Sequence, residues 1–600
     1  MQGFTPTPVQ WKTDLNTDLR RTEWQAGANP RNTLNIENIN ENRAPTALRL
    51  PTEPDPLTEI LLSSSQVTSD LSSWNGVAIP HPMAENQSAT QKIDPLTGAV
   101  VLELTAQEFL DTYSGATISE GLTVKIKDDS AGSFVGDFIV NLEGEIEFGE
   151  NVSIDISGLF KLDGNSLEQE LLDGVSVPGS QLEFGENDVI TAGTIAWGVN
   201  NNFQLKMNSS ITAESGDLSI EVGNQIQLEE NLSLHALAGS IHLITNDDGD
   251  IQIKKVESEL SFPNISAGKN IMIHSSGDIQ ILDGNIFQAG GNIELLGTSD
   301  EGDIEIAQAD PTLFFPSITA GGRIHMETNG DVQIMEGNTL YAGLDIQLKA
   351  KSEGDVQIQQ VDVPIALPRL EARRNIIVEA EGDINIQRGD AIGTLPYPDL
   401  KAGNDILMKG MGEVEIEPGN WLWAGCTIHL ETDGVEVQVQ PRDYVTLEAG
   451  LDIFLFAPEE NAGIKVGEYA TLKAGRNITL TSGWHDQGEG DTQIKEYATL
   501  IAGSNITIES GWHGQTEVKE NNTITAGNTI TIASGDNGAT VVKENNLLTA
   551  GDRITIKSGA ESETVVKGDG TTLTAPDIII TTGTDGEWVI EPDVIILTAT

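Results

Sequence analysis

An alanine comes back along the chain at positions 238, 267, 289, 320, 342, 372, 402, 424, 449, 474, 502, 526, 550 and 575, at intervals of 22 to 31 residues. Glycine comes after it in most instances, with Arg373 and Pro576 as departures. The fourth and sixth residues after it are aliphatic, as in Ala289-Gly290 followed by Ile293 and Leu295, or Ala526-Gly527 followed by Ile530 and Ile532. The residue between them varies freely, from Glu294 to Thr531. A third apolar pair comes after Gly-Asp in the middle repeats, as in Ile304/Ile306 and Val332/Ile334. Period-two alternation with one constant apolar set is the pattern of a strand with one face in a core and one outside.

Three such strands per repeat, separated by turns, describe one coil of a solenoid. A single coil has nothing to cover its inner face, so the coils must stack to create a core. The predicted fold is therefore all-β: a parallel β-helix (β-solenoid) with three short strands per coil of 22–31 residues and an irregular N-terminal segment. At the usual strand spacing, roughly 16 to 18 coils give a rod on the order of 80 Å long.

The chain divides into three regions. Residues 1–110, rich in Pro and Asn, read as an irregular or extended N-terminal arm suited to attachment. Residues 111–189 read as the cap and first β coils, and 190–600 as the repeat solenoid. Leu102 to Tyr113 reads as a short helix that caps the first coils. At the other end, Ala599 falls 24 residues after Ala575, in register, with no polar cap beyond it. Terminal coils expose strand edges and core, so either the native polypeptide continues or association is expected through this uncapped C-terminal coil and the N-terminal arm, as a homo-oligomer or an end-to-end assembly.

Charge narrows the partners. The chain carries 92 Asp+Glu against 33 Lys+Arg, a formal charge of −59, which repels nucleic acid and anionic lipid. Neither a nucleic-acid partner nor direct membrane insertion is expected. Only 5% of residues are aromatic, so the core is expected to be aliphatic. One cysteine, Cys426, excludes an intramolecular disulfide framework. The first residues, from Met1 to Pro6, lack the pattern of a secretory signal, which leaves export by another route, assembly inside the cell, or numbering that begins after processing.

The phrase Ala289-Gly290-Gly291-Asn292-Ile293-Glu294-Leu295, with Gly302-Asp303-Ile304-Glu305-Ile306 after it, resembles the degenerate repeats of filamentous-haemagglutinin-type adhesins. The resemblance covers about residues 190 to 600. It implies a right-handed parallel β-helix, exported by a bacterium and used in surface attachment. Phage tailspikes, fibres and polysaccharide lyases share that architecture, so fold alone does not select among them.

Several positions invite chemistry. Asp250, Asp278, Asp303, Asp331, Asp355 and Asp383 recur after glycine, so their carboxylates are expected to stack along one edge. Like charges at coil spacing invite Ca²⁺ between them; alternatively, each Asp accepts a hydrogen bond from its own turn. Otherwise no cofactor is expected. Trp484-His485 and Trp512-His513 occupy matching places after their strands and form a candidate aromatic platform for a sugar ring or a partner protein. Trp421 and Trp423 flank Leu422 and must point outward if Leu422 points inward. No nucleophile, metal or phosphate motif is present, so an enzyme is not expected. The expected function is a structural and adhesive surface protein, extracellular or at the cell surface, meeting a glycan or a cell-surface receptor. A virion or tail-fibre component is the alternative, and a polysaccharide lyase or hydrolase the second.

Overall fold

The computed structural model describes residues 90–93, 100–164, 180–246, 248–254, 264–282, 284–300, 302–307, 317–335, 338–359, 369–387, 399–439, 445–483 and 489–598. All of them belong to one compact unit, Met83–Thr600. That unit is a parallel β-solenoid of about 18 turns. Each coil lays down three strands in a fixed order. In one coil they are Ile265–Ala267, Ile271–Ser275 and Ile279–Ile281, which belong to what we call sheets one, two and three. In the next coil they are Phe287–Ala289, Ile293–Gly297 and Ile304–Ile306, each pairing in parallel with its counterpart. In the first coils, Ser153–Asp163 and Val189–Val199 run unbroken through sheets one and two.

The alternation in sequence becomes alternation in burial. Ile293 and Leu295 are buried, whereas Glu294 between them is half-exposed. The alanines pair one above another from Ala267 to Ala550. At the start of the column the structure corrects the expectation. Ala236, not Ala238, pairs with Ala267, and the column continues back through Ala213 to Ala192. Ala238 lies in the turn after the strand.

The glycine after the alanine is required by close approach between coils. A Cβ at Gly425, Gly450, Gly475 or Gly527 would lie 2.0 Å from the carbonyl oxygen of the aligned glycine one coil earlier. Only a residue without a Cβ fits where backbones meet so closely. Arg373 interrupts the column and turns outward, its Nε donating to Tyr341 Oη at 3.0 Å.

The core is aliphatic through the repeats, but the first coils depart from that expectation. Phe148 stacks on Phe184 at 4.3 Å, and Phe184 on Trp197 at 5.1 Å. Large aromatic rings take the place there that Ile and Leu hold in the repeats. Above them lies helix α1, Ala106–Tyr113, with a capping box between Thr105 and Glu108. Its buried face carries Phe109 and Leu110, and Phe109 meets Phe138 at 5.4 Å. The helix therefore covers this end of the core. It begins later than the sequence implied: Leu102 belongs to the strand Val100–Leu104, which pairs with Leu122–Ile126. Among the described residues, no helix is long and apolar enough to cross a membrane.

Candidate functional site

The Gly-Asp residues form a ladder between coils. Oδ1 of Asp250 accepts from the amide of Asp278 at 2.9 Å, and Asp278 from Asp303 at 3.0 Å. Asp303, Asp331 and Asp355 serve the next coil in the same way, and Asp383 ends the run on the amide of Glu413 at 2.6 Å. The acceptor is thus used by the next coil, not by the residue's own turn. The glycine before Asp278, Asp331, Asp383 and Glu413 has a cause as well: a Cβ at Gly277, Gly330, Gly382 or Gly412 would sit 2.1 to 2.3 Å from the preceding Asp Oδ1. Burial, reinforced by neighbouring carboxylates, holds Asp303 and Asp355 above the usual range against the pull of those amide bonds. Among the described residues, no group of three or more His, Cys, Asp or Glu side chains is arranged to hold a metal ion.

The aromatic candidates separate. Trp421 and Trp423 lie on the outer side of sheet one with Leu422 buried between them. Trp423 is flanked by Lys401 and Glu448 on adjacent coils. Trp512 is 40% exposed and lies parallel to the ring of His513 at 5.9 Å. Trp484 and His485 lie outside the described residues.

A further surface emerges on the outer side of sheet two. Five consecutive strands there are Ile346–Ala350, Ile376–Ala380, Ile406–Gly410, Thr427–Thr432 and Asp452–Ala457. Their outward residues form two columns in register. One reads Gln347, Ile377, Leu407, His429, Phe454; the other reads Lys349, Glu379, Lys409, Glu431, Phe456. Charges in the second column alternate and pair along it, Lys349 with Glu379 at 3.4 Å and Lys409 with Glu431 at 2.7 Å. Around this patch the turns expose Leu344, Met411, Val435 and Leu451. Beyond Phe454 and Phe456 the columns drop to Thr479 and Thr481, and the step leaves an open concavity of about 390 Å³ lined by His429, Phe454, Phe456 and the two threonines.

Two His-x-Glu pairs share this face, His325 with Glu327 and His429 with Glu431, at 3.5 and 2.9 Å. The histidine hydrogen bond, with a lysine beside it, lowers each carboxyl to about 2. These glutamates stay charged through the physiological range.

Sequence reasoning missed the patch because its members are 22 to 30 residues apart in the chain and outward positions carry no constant residue type. Unequal coil lengths hide which of them face one another. Comparison of the chain with protein-family models, curated proteins and solved structures gives no match.

Proposed function

We propose that this chain is a structural and adhesive protein of an extracellular or cell surface, with the filamentous-haemagglutinin-like repeat as its scaffold. The observation that supports this reading is the division of labour across each coil. Inward residues and turn residues such as Asp303 and Gly475 are committed to stacking, so variation is concentrated on the outer faces. A scaffold of this kind displays a long surface on which several weak contacts add up. The outward aromatics are its candidate contacts with sugar rings: an indole offers a broad apolar face. The acidic coat keeps separate rods in solution.

The test is retention of the full chain on glycan-coated and cell-derived surfaces, with Trp512→Ala and Trp421→Ala/Trp423→Ala variants as controls. Binding that weakens in one or both variants supports the adhesive reading. Release of reducing sugar from the glycans would replace it with an enzymatic one, and absence of retention on every surface would overturn it.

A further inference from the structure

We propose that sheet two carries a lateral pairing surface for a second copy of this chain, with the two solenoids antiparallel. The argument rests on the order of charges. Along the solenoid the column reads Lys349, Glu379, Lys409, Glu431. A two-fold axis lying in the interface, perpendicular to the solenoid and between the Glu379 and Lys409 coils, keeps this column facing itself and reverses its order. Lys349 then faces Glu431 of the second copy, and Glu379 faces Lys409, so all four positions meet an opposite charge. This is the self-complementarity that an isologous interface demands.

The flanking columns obey the same operator. Ile377 meets Leu407, placing apolar side chains at the centre, and Gln347 meets His429. On the other side, the position after each strand carries Lys351, Glu381, Met411 and Asp433 in successive coils; Lys351 and Asp433 also come face to face, while Glu381 faces Met411.

The rest of the molecule explains why a second copy would dock here. A chain of charge −59 repels its own kind over most of its surface. Over these four coils the central column is neutral, because each lysine is matched by a glutamate. Apolar residues surround it at Leu344, Met411 and Val435, which are 43%, 55% and 69% exposed. Exposed apolar patches with a polar rim mark interaction sites. Six coils of strand and flanking turns cover on the order of 700 Å² per copy, close to the roughly 800 Å² per partner of a standard interface.

The inference deepens the structural reading by naming a partner, and the experiment separates the two. Sedimentation of the full chain is followed at about 0.15 M salt, where overall repulsion is screened beyond about 8 Å. Wild type is expected to dimerise. K409E places Glu against Glu379 of the second copy twice over, and E379K places Lys against Lys409 twice, so each variant alone should dimerise at least tenfold more weakly. An equimolar mixture restores both opposite-charge contacts and should dimerise like wild type. Any damage to the charge ladder within one copy is the same alone and mixed, so rescue by mixing reports only contact between copies. A monomeric wild type, variants that dimerise unimpaired, or a mixture no tighter than its components would overturn the pairing. A monomer that still binds glycan-coated surfaces would leave the adhesive reading standing.

Discussion

Oδ1 of Asp303 accepts the amide hydrogen of Asp331, one coil later, at 2.7 Å, and the same oxygen lies 2.3 Å from where a Cβ on Gly330 would be. One atom thus accounts for two letters of the repeat: the aspartate ties the next coil's backbone, and the glycine leaves room for it. Asp303→Ala removes the acceptor from a half-buried amide, with an expected cost of about 1–3 kcal/mol. Hydrogen exchange at the Asp331 amide should accelerate in this variant. Gly330→Ala should be damaging alone but less so on the Asp303→Ala background, because the obstructing oxygen is gone. Strict additivity in that double-mutant cycle would contradict the ladder.

Close approach of backbones gives a second prediction. Gly475→Ala places a Cβ 2.0 Å from the Gly450 carbonyl oxygen, a main-chain atom that cannot swing aside. We expect a loss of about 3 kcal/mol, visible as earlier denaturant unfolding. Arg373→Gly, at a place in the column where a side chain is already accommodated, should change stability by much less. Equal effects at the two positions would refute the explanation.

Helix α1 should behave as a cap. Phe109→Ala opens a hole against Phe138 and Phe148 and is expected to cost about 3–5 kcal/mol. Its signature is local: hydrogen exchange should rise in the first coils, around Val140 and Ile146, and stay unchanged near Ile530. A uniform rise along the solenoid would mean that the helix does not guard one end.

Acid and base should act on different groups. Burial raises Asp188 to about 6, although the amides of Val152 and Gly185 donate to it at 2.8 and 2.7 Å. A carboxyl with a raised folded pKa binds its proton more tightly when folded. Its contribution is therefore complete below about 4 and lost as pH rises through about 6, amounting to about 3 kcal/mol at neutral pH. Glu327 and Glu431, held at about 2, work in the opposite direction: their contribution is present above about 4.5 and lost as pH falls toward 2. Thermal stability should peak near pH 5 and decline toward both pH 3 and pH 7.5. A melting temperature that climbs steadily to pH 8 would contradict this assignment.

The solenoid was legible in the sequence because its inward positions admit so few residues. Ala289 to Ala550 could be aligned by eye, since every coil repeats the same contact with its neighbour. Side chains that change type at a fixed place were harder to read. Thr516 and Thr540 fill inward positions held by Ile or Val in other coils, and their hydroxyls meet Ser510 and Ser534 at 2.9 Å in buried pairs. Lys465 precedes Lys495 by 30 residues but sits on a strand opposite Gln493, while Lys495 comes after that strand. The charge order of Lys349, Glu379, Lys409 and Glu431 was equally hidden, because it is defined only once strand register places the four in one line.

The strand Ile595–Leu597 pairs with Thr572–Thr574 and exposes all three of its apolar residues; Ala599 lies outside the described residues. Solubility should improve when this strand is made polar. Ile595→Lys/Leu597→Lys is expected to lower self-association in light scattering without changing the melting temperature appreciably, since neither residue is in the core. Unchanged scattering would remove this coil from the assembly.

Negative-stain microscopy of the purified full chain tests the central claim most directly. About 18 turns at strand spacing should appear as an elongated solenoid segment on the order of 85 Å long, the same in every particle. Compact particles without a long axis would contradict the account.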